Sequence, residues 1–129
     1  MIGDAIWGKG ATVRVSEREG SWHMPKYLIT ANYTADGMVG LKKDGAAGRR
    51  AAVDTLVEGL GGSVECFYFA FGENDAFAII DMPDNEAAAA AALSVARSPM
   101  VSVQTVPLLT TDEIDAALGR SADYRPPGS

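Results

Sequence analysis

The distribution of apolar residues along the chain predicts four strands separated by helices and turns. β-Branched and aromatic residues are concentrated in four segments, as is typical of strands: 26–33, 63–71, 76–82 and 100–109. After the first of these, a short helical turn over 38–43 precedes a longer helix that Asp44 caps. Within this helix, Arg49, Val53 and Leu56 follow one another at spacings of four and three, which places them on one face.

Turn and cap residues mark the ends of the remaining elements. Gly61 ends the first long helix, since glycine adopts left-handed backbone angles without a steric clash. Asp84 is a suitable N-terminal cap for a second helix over 85–97. Thr110 and Glu113 have the spacing of a capping box, which predicts a short helix near the C-terminus.

The order strand, helix, strand, strand, helix, strand predicts an α+β domain of the ferredoxin-like βαββαβ type. Its four-stranded antiparallel sheet would carry both long helices on one face. We assign this domain to residues 24–118. Residues 1–23 are either a genuine extension or the product of a misannotated start, and we favour the second explanation because Met24 resembles a second beginning. Residues 119–129, which contain two prolines and two glycines, are expected to form a flexible tail.

Both faces of the predicted sheet carry large apolar side chains. In the second strand, alternation places Phe67 and Phe69 on one face and Val64, Cys66 and Tyr68 on the other. Two helices cover only one face, so the other would be an exposed apolar patch. Either loops and the N-terminal segment cover this patch, or a second copy of the chain does. We favour a sheet-to-sheet homodimer or higher oligomer, because each large side chain removed from water contributes roughly 1.5–3 kcal/mol.

Composition and charge exclude several classes of function. Hydrophobic residues make up 47% of the 129 residues and the formal net charge is −6, which argues against the clustered Lys and Arg that bind nucleic-acid phosphates. The longest apolar run, 87–95, is too short to span a bilayer, and the first residues lack the pattern of a secretory signal. We therefore expect a cytoplasmic protein with no nucleic-acid partner and no membrane partner.

The scarcity of cysteine and histidine excludes common metal and cofactor sites. Cys66 and His23 are the single residues of their types, too few for a zinc or haem site built from such ligands. The sequence contains no phosphate-binding loop and no dinucleotide fingerprint. Cys66 lies within a predicted strand, where a packing role is favoured over a nucleophilic one. We predict neither a metal nor a cofactor.

The connection at 72–75 carries two carboxylates, Glu73 and Asp75. One interpretation makes them a general acid and base, or oxygen ligands of a metal ion. The other makes them polar residues of a hairpin turn that satisfy backbone groups. We favour the turn.

Four polar residues in or near the first two strands form another candidate ligand site: Tyr33, Thr34, Asp36 and Tyr68. If the two strands lie close together, these side chains would converge and orient a small molecule at the mouth of an apolar cavity. Alternatively, they are amphipathic core residues whose polar tips reach water. We favour this second interpretation.

The densest basic stretch comprises Lys42, Lys43, Arg49 and Arg50. These residues would bind an anionic ligand, or they form a solvated helix face that pairs with acids such as Asp44 and Asp54. We favour the solvated face, which is the commoner arrangement for such a run.

Five short motifs, taken in order, resemble the GYD domain family of small bacterial and archaeal proteins. They are YLITANYTADG (27–37), RRAA (49–52), LGG (60–62), FYFAFGEND (67–75) and MPDN (82–85). The resemblance runs from about residue 26 to residue 114. It rests on the order and spacing of the motifs rather than on any one of them.

This resemblance implies the fold of a dimeric α+β barrel, in a family whose biochemical function is not established. One position departs from the family signature, which has a tyrosine before the aspartate where this chain has Asn74 before Asp75. If the tyrosine hydroxyl takes part in chemistry in relatives, this chain lacks it. If the tyrosine only turns the backbone, asparagine is a good replacement.

Three functions are compatible with these features. We favour a homo-oligomeric module that binds a small molecule or regulates, because an apolar sheet is combined with few reactive groups. The alternative is a cofactor-independent enzyme of the oxygenase or isomerase type, suggested by fold analogy, with Tyr33, Tyr68, Glu73 and Asp75 as catalytic candidates. The third is a structural or protein-interaction role.

Overall fold

The computed structural model describes residues 24–129, which form four strands and three helices in the predicted order. The elements are β1 (Lys26–Tyr33), α1 (Ala35–Gly59), β2 (Ser63–Phe69), β3 (Ala76–Asp81), α2 (Asn85–Ala96), β4 (Val101–Leu108) and α3 (Thr111–Leu118). They build an α+β structure around one four-stranded antiparallel sheet. The predictions made for residues 1–23 lie outside the described part of the chain.

β1 and β3 lie at the centre of the sheet, in which the strand order is β2-β3-β1-β4. Thr30 of β1 lies opposite Phe77 of β3 on one side and Gln104 of β4 on the other. Phe77 in turn lies opposite Tyr68 of β2. Because side chains alternate between faces along a strand, this register assigns the strand residues to two distinct faces.

α1 and α2 pack on the same side of the sheet, which we call the covered face. Its core includes Tyr27 and Ile80 from the sheet, Met82 directly after β3, Val57 from α1 and Ala88 from α2. Met82 is fully buried and Tyr27 is 2% exposed. The small alanine side chains of α2 let this helix lie close to the strands while still removing apolar surface from water.

A β-bulge in β2 changes which residues share a face. The register between β2 and β3 shifts between Val64 and Cys66. Val64 and Phe67 therefore both pack against the core of the covered face, and the prediction that Val64 shares a face with Tyr68 is wrong. The extra residue of a bulge reverses the alternation on one side of it.

α1 begins directly after β1, not at Asp44 as predicted. The Thr34 side chain caps this earlier start by accepting a hydrogen bond from the Gly37 backbone N–H at 3.1 Å. Gly45 interrupts the helix with a φ of 79° and a ψ of 162°. The predicted turn over 38–43 and the predicted longer helix are thus two parts of one kinked element.

Gly37 explains why the first part of α1 lies where it does. A Cβ atom at this position would be 1.8 Å from the Met100 carbonyl oxygen. Only glycine therefore allows the first turn of α1 to approach the start of β4 so closely.

The other predicted caps are confirmed. Gly61 follows α1 with a φ of 89°. The Asp84 carboxylate accepts a hydrogen bond at 2.8 Å from the Ala87 backbone N–H at the start of α2. Thr110 and Glu113 form the reciprocal capping box of α3. These predictions succeeded because each cap depends on residues within one turn of each other.

α3 and the residues after it are exposed along their whole length. Ile114 and Leu118, four residues apart on this helix, are 42% and 77% exposed. None of the helices within residues 24–129 is both long and apolar enough to cross a membrane.

Candidate functional site

A cleft of about 350 Å³ lies between the kinked α1, the C-terminal end of α2 and the ends of β1 and β4. All of these elements contribute to its wall, which includes Tyr33, Leu41, Arg49, Ser94, Ser98 and Met100. The close approach of α1 to β4 at Gly37 builds one end of this wall. The volume falls within the range typical of small-molecule sites, about 300–1,000 Å³.

A smaller apolar cavity of about 60 Å³ adjoins the cleft beneath the helices. The two share five wall residues: Tyr33, Arg49, Val53, Leu56 and Val95. The rest of the smaller wall is almost wholly apolar and includes Ile29, Phe67 and Ala92. The cleft and the cavity together form one site. We call the cleft, which has polar groups in its wall, the outer compartment and the apolar cavity the inner compartment.

Arg49 lies at the boundary between these two compartments. Its Nε atom is buried and has no hydrogen-bond partner among residues 24–129. A buried polar group left without a partner costs about 1–3 kcal/mol, and more when it is charged. An unsatisfied donor of this kind in a cavity wall is suited to bind an acceptor from a ligand.

The neighbouring Arg50 is in a different environment. Its Nε atom donates a hydrogen bond to the Asp54 carboxylate at 3.2 Å, one turn further along α1. The side chains of Arg50 and Asp54 are 40% and 33% exposed. The predicted pairing of the basic stretch with nearby acids is therefore confirmed for Arg50, whereas Arg49 turns towards the cavity.

The spacing in the sequence predicts the correct helix face for Arg49, but its basic stretch is interpreted there as a solvated surface rather than as an anion site. Arg49 shares a face with Val53 and Leu56, as the spacing predicted, and all three line both compartments. The useful signal was a charged residue within an otherwise apolar helical stripe. Such a residue must either reach solvent or meet a partner.

Among the candidates from the first two strands and the 72–75 connection, Tyr33 is the one that lines both compartments. Its backbone N–H donates to the Asp75 carboxylate at 2.9 Å, and the Asp75 N–H donates to the Ala31 carbonyl at 2.9 Å. Asp75 thus ties the connection after β2 to the end of β1. Glu73, in the same connection, is exposed. These contacts agree with the turn interpretation for Asp75, whose carboxylate satisfies a backbone N–H.

Asn74, which departs from the family signature, also has a local structural contact. Its side-chain oxygen accepts a hydrogen bond at 3.0 Å from the amide of Asn32 in β1. The asparagine therefore helps to hold the connection against the sheet, as expected for a residue that favours turns.

Thr34 and Asp36 lie at the start of α1. The Thr34 hydroxyl is 3.0 Å from the Pro99 carbonyl oxygen and 3.2 Å from that of Met100. Thr34 therefore both caps α1 and ties it to the segment before β4. Asp36 is exposed in the first turn of the helix, where a negative charge is favourable.

Tyr33 and Tyr68 do not converge, contrary to the ligand-site interpretation, which is not the one favoured from the sequence. Tyr33 packs with Ala31 on the covered face, whereas Tyr68 lies opposite Phe77 and hence on the other side of the sheet. The sequence could not show this, because the relative facing of two strands depends on their register and on the bulge in β2.

We call the second side of the sheet the open face. It carries Leu28, Thr30, Cys66, Tyr68, Phe77, Ile79 and Val106. Tyr68 is 68% exposed and Val106 is 42% exposed. The core contacts of α1 and α2 are all with the covered face, so neither of these two helices packs on the open face.

One end of the open face has a charged border. The Lys26 ammonium is 2.8 Å from the Asp81 carboxylate and 2.5 Å from that of Glu65. Partial burial by itself lowers the pKa of Lys26, but the hydrogen bonds and charges of the two carboxylates outweigh it, so the pKa lies above its ordinary value.

Tyr27 occupies the opposite, covered face at the same end of β1. Its hydroxyl donates a hydrogen bond to the Asn85 side-chain oxygen. Burial raises the pKa of Tyr27, and the nearby carboxylates of Asp84 and Glu86 raise it further. The phenol therefore stays protonated at neutral pH and acts as a core residue with one polar contact.

Within residues 24–129, no cluster of three or more His, Cys, Asp or Glu side chains is placed to hold a metal ion. Cys66 is half-buried on the open face, paired across from Ile79. His23 lies outside the described residues.

Comparison with known proteins identifies one family. A family model described as the GYD domain matches residues 27–118. No curated protein and no solved structure matches the chain significantly.

Proposed function

The chain belongs to the GYD domain family, and we propose that it is a homo-oligomeric module that binds a small molecule. The binding site is the two-compartment cavity between the helices and the covered face. The observation that carries this proposal is Arg49, whose buried Nε lacks a partner where the outer and inner compartments meet. Keeping a charged donor unsatisfied beside a cavity costs stability, and a ligand acceptor removes that cost.

Binding is favoured over catalysis by where the reactive side chains lie. Of the four acid–base candidates, Tyr33 lines the cavity, Glu73 is exposed and Tyr68 is on the open face. Asp75 already accepts a backbone hydrogen bond at the end of β1. A general acid and base must both lie within hydrogen-bond reach of the substrate, and these four residues do not share a site.

The oligomer we propose is a dimer in which the open faces of two copies pack together. Its fold would be that of a dimeric α+β barrel made from two ferredoxin-like units. The strand order and the position of both long helices on one side support this arrangement. A self-complementary contact related by two-fold symmetry would bury the apolar centre of both open faces at once.

α3 gives independent support for association. An isolated helix of this length is marginal in water, yet α3 presents Ile114 and Leu118 to solvent. In the proposed dimer this apolar stripe packs against the second copy.

A thermal-shift screen of the full chain against a broad metabolite library tests the binding function. A ligand of the native state raises the melting temperature in a concentration-dependent way. We expect at least one chemical class to do so for the unmodified protein and to have a weaker effect on Arg49→Met. Absence of stabilisation by every class would contradict the proposed function.

A further inference from the structure

We propose that the ligand is an amphipathic monoanion, namely a carboxylate attached to a short or narrow apolar group. This inference rests on the proposed function and specifies its ligand class. The carboxylate would bind Arg49, and the apolar group would enter the inner compartment beneath α1 and α2.

The charge of the ligand follows from Arg49. A guanidinium is permanently charged, only donates hydrogen bonds and matches the planar geometry of a carboxylate. The ion pairs within residues 24–129 engage Arg50 and Lys26 but not Arg49. A neutral ligand would satisfy the hydrogen bond but leave the charge without a counterion, so an anion is the better partner.

A single negative charge is favoured over two. Asp44 also lines the outer compartment, and the whole chain has a formal net charge of −6. Both raise the cost of bringing a doubly charged group such as phosphate into the cleft. Arg49 is also the one Lys or Arg side chain in the wall of either compartment.

The apolar part of the ligand follows from the inner compartment. Its wall contains Ile29, Phe67 and Val103 from the sheet, and the small side chains of Ala88 and Ala92 leave the space open. At about 60 Å³ this compartment admits a narrow group and excludes a bulky one. An alkyl chain or a single flat ring therefore fits better than a polar or branched body.

Isothermal titration calorimetry with four probes tests the inference: octanoate, benzoate, uncharged octanamide and inorganic phosphate. We expect one of the two carboxylates to bind the unmodified protein at least tenfold more tightly than octanamide or phosphate. The two carboxylates distinguish an alkyl occupant from an aromatic one. Binding of octanamide as tight as that of the better carboxylate, or tighter binding of phosphate, would overturn the inference.

Arg49→Met, with Arg50→Met as the matched control, tests the residue that we assign. The first change should weaken carboxylate binding at least tenfold, and the second should alter it less than twofold, because Arg50 already pairs with Asp54. Thermal unfolding without ligand shows that both variants are folded. Carboxylate affinity that survives Arg49→Met, or falls equally in both variants, would contradict the assignment.

Ala92→Leu tests the apolar compartment separately. The larger side chain should fill the inner space and reduce carboxylate affinity at least tenfold, while Ala89→Leu, at an exposed position of the same helix, should leave it unchanged. Failure of this set while the broad library still yields a ligand would reject the ligand class and leave the binding function standing. Failure of both would reject both.

Discussion

The two faces of the sheet are built from the same strands but differ in what lies against them. On the covered face, Ala76, Ala78 and Ile80 are buried beneath two helices. On the open face, Tyr68 and Val106 remain exposed although both are large and apolar. The difference shows that strand alternation here does not separate core from solvent. It separates a face that α1 and α2 cover from one on which large apolar side chains stay exposed among the described residues.

The largest loss of stability is expected when a side chain is removed from the core of the covered face. Met82→Ala removes a fully buried side chain from the core, so it should lower the free energy of unfolding by about 2–5 kcal/mol. Urea unfolding followed by circular dichroism measures this change. Val39→Ala, at a residue that is 70% exposed, is the control and should change stability by less than about 0.5 kcal/mol. Similar losses in both variants would contradict the description of the core.

A charge in the open face should weaken the dimer that we propose. Tyr68→Asp should weaken association by about 2 kcal/mol or more, the scale of an interface hot spot, by burying an unpaired carboxylate. Light scattering at micromolar concentration should give about twice 13.5 kDa for the unmodified protein and a lower mass for the variant. Phe71→Asp, in the exposed connection after β2, should leave the mass unchanged. A monomeric mass for the unmodified chain would show that the open face is not an interface.

In the absence of ligand, replacing Arg49 and replacing Arg50 should change the free energy of unfolding in opposite directions. Arg49→Met removes a buried donor without a partner and should raise the free energy of unfolding by about 1 kcal/mol. Arg50→Met removes an exposed ion pair one turn apart and should lower it by about 0.3–0.5 kcal/mol. Chemical denaturation at neutral pH measures both. A loss of stability in Arg49→Met would mean that Arg49 supports the fold rather than a ligand.

The smallest expected effect is a change in how steeply stability declines at alkaline pH. The folded pKa of Tyr27 is raised above its unfolded value near 10.0, so its stabilising contribution is complete below pH 10 and declines as pH rises through the folded value. Lys26, whose pKa is also raised, acts in the same direction. Melting temperatures between pH 9 and 11 should fall less steeply in Tyr27→Phe than in the unmodified protein.

Salt separates these two contributions. Lys26 belongs to a partly exposed ion-pair cluster. The effect of Lys26→Met on the melting temperature should therefore weaken at high ionic strength. The pKa of Tyr27 is raised chiefly by burial, so the effect of Tyr27→Phe on the melting temperature at alkaline pH should not depend on ionic strength. Equal salt dependence of the two variants would contradict the assignment of Tyr27 to the covered core.

The parts of the fold that depend on neighbouring residues could be predicted from the sequence. Asp84 as a cap, the Thr110–Glu113 box and the glycine after α1 were all found from local spacing. The start of α1 could not, because it depends on Gly37 meeting the Met100 carbonyl, a contact between distant parts of the chain. The bulge in β2 was likewise invisible, since only pairing with β3 reveals the register shift.

The candidate site was harder to predict than the fold. Sequence patterns show which residues are present but not which donor lacks a partner, and the importance of Arg49 lies in a missing contact. The pattern did place Arg49 with Val53 on an apolar helix face. What it could not supply was the cavity, which depends on the kink at Gly45 and on the packing of α1 and α2 against the sheet.

The most direct test of the division between the two faces is a methyl NMR titration of the full chain with octanoate and, separately, with benzoate. The reporters for the cavity are Val53, Leu56 and Val95, and those for the open face are Leu28, Ile79 and Val106. We expect at least one of these carboxylates to shift the cavity methyl signals and to leave the open-face signals in place. Shifts confined to the open face, or none in either set, would contradict the account.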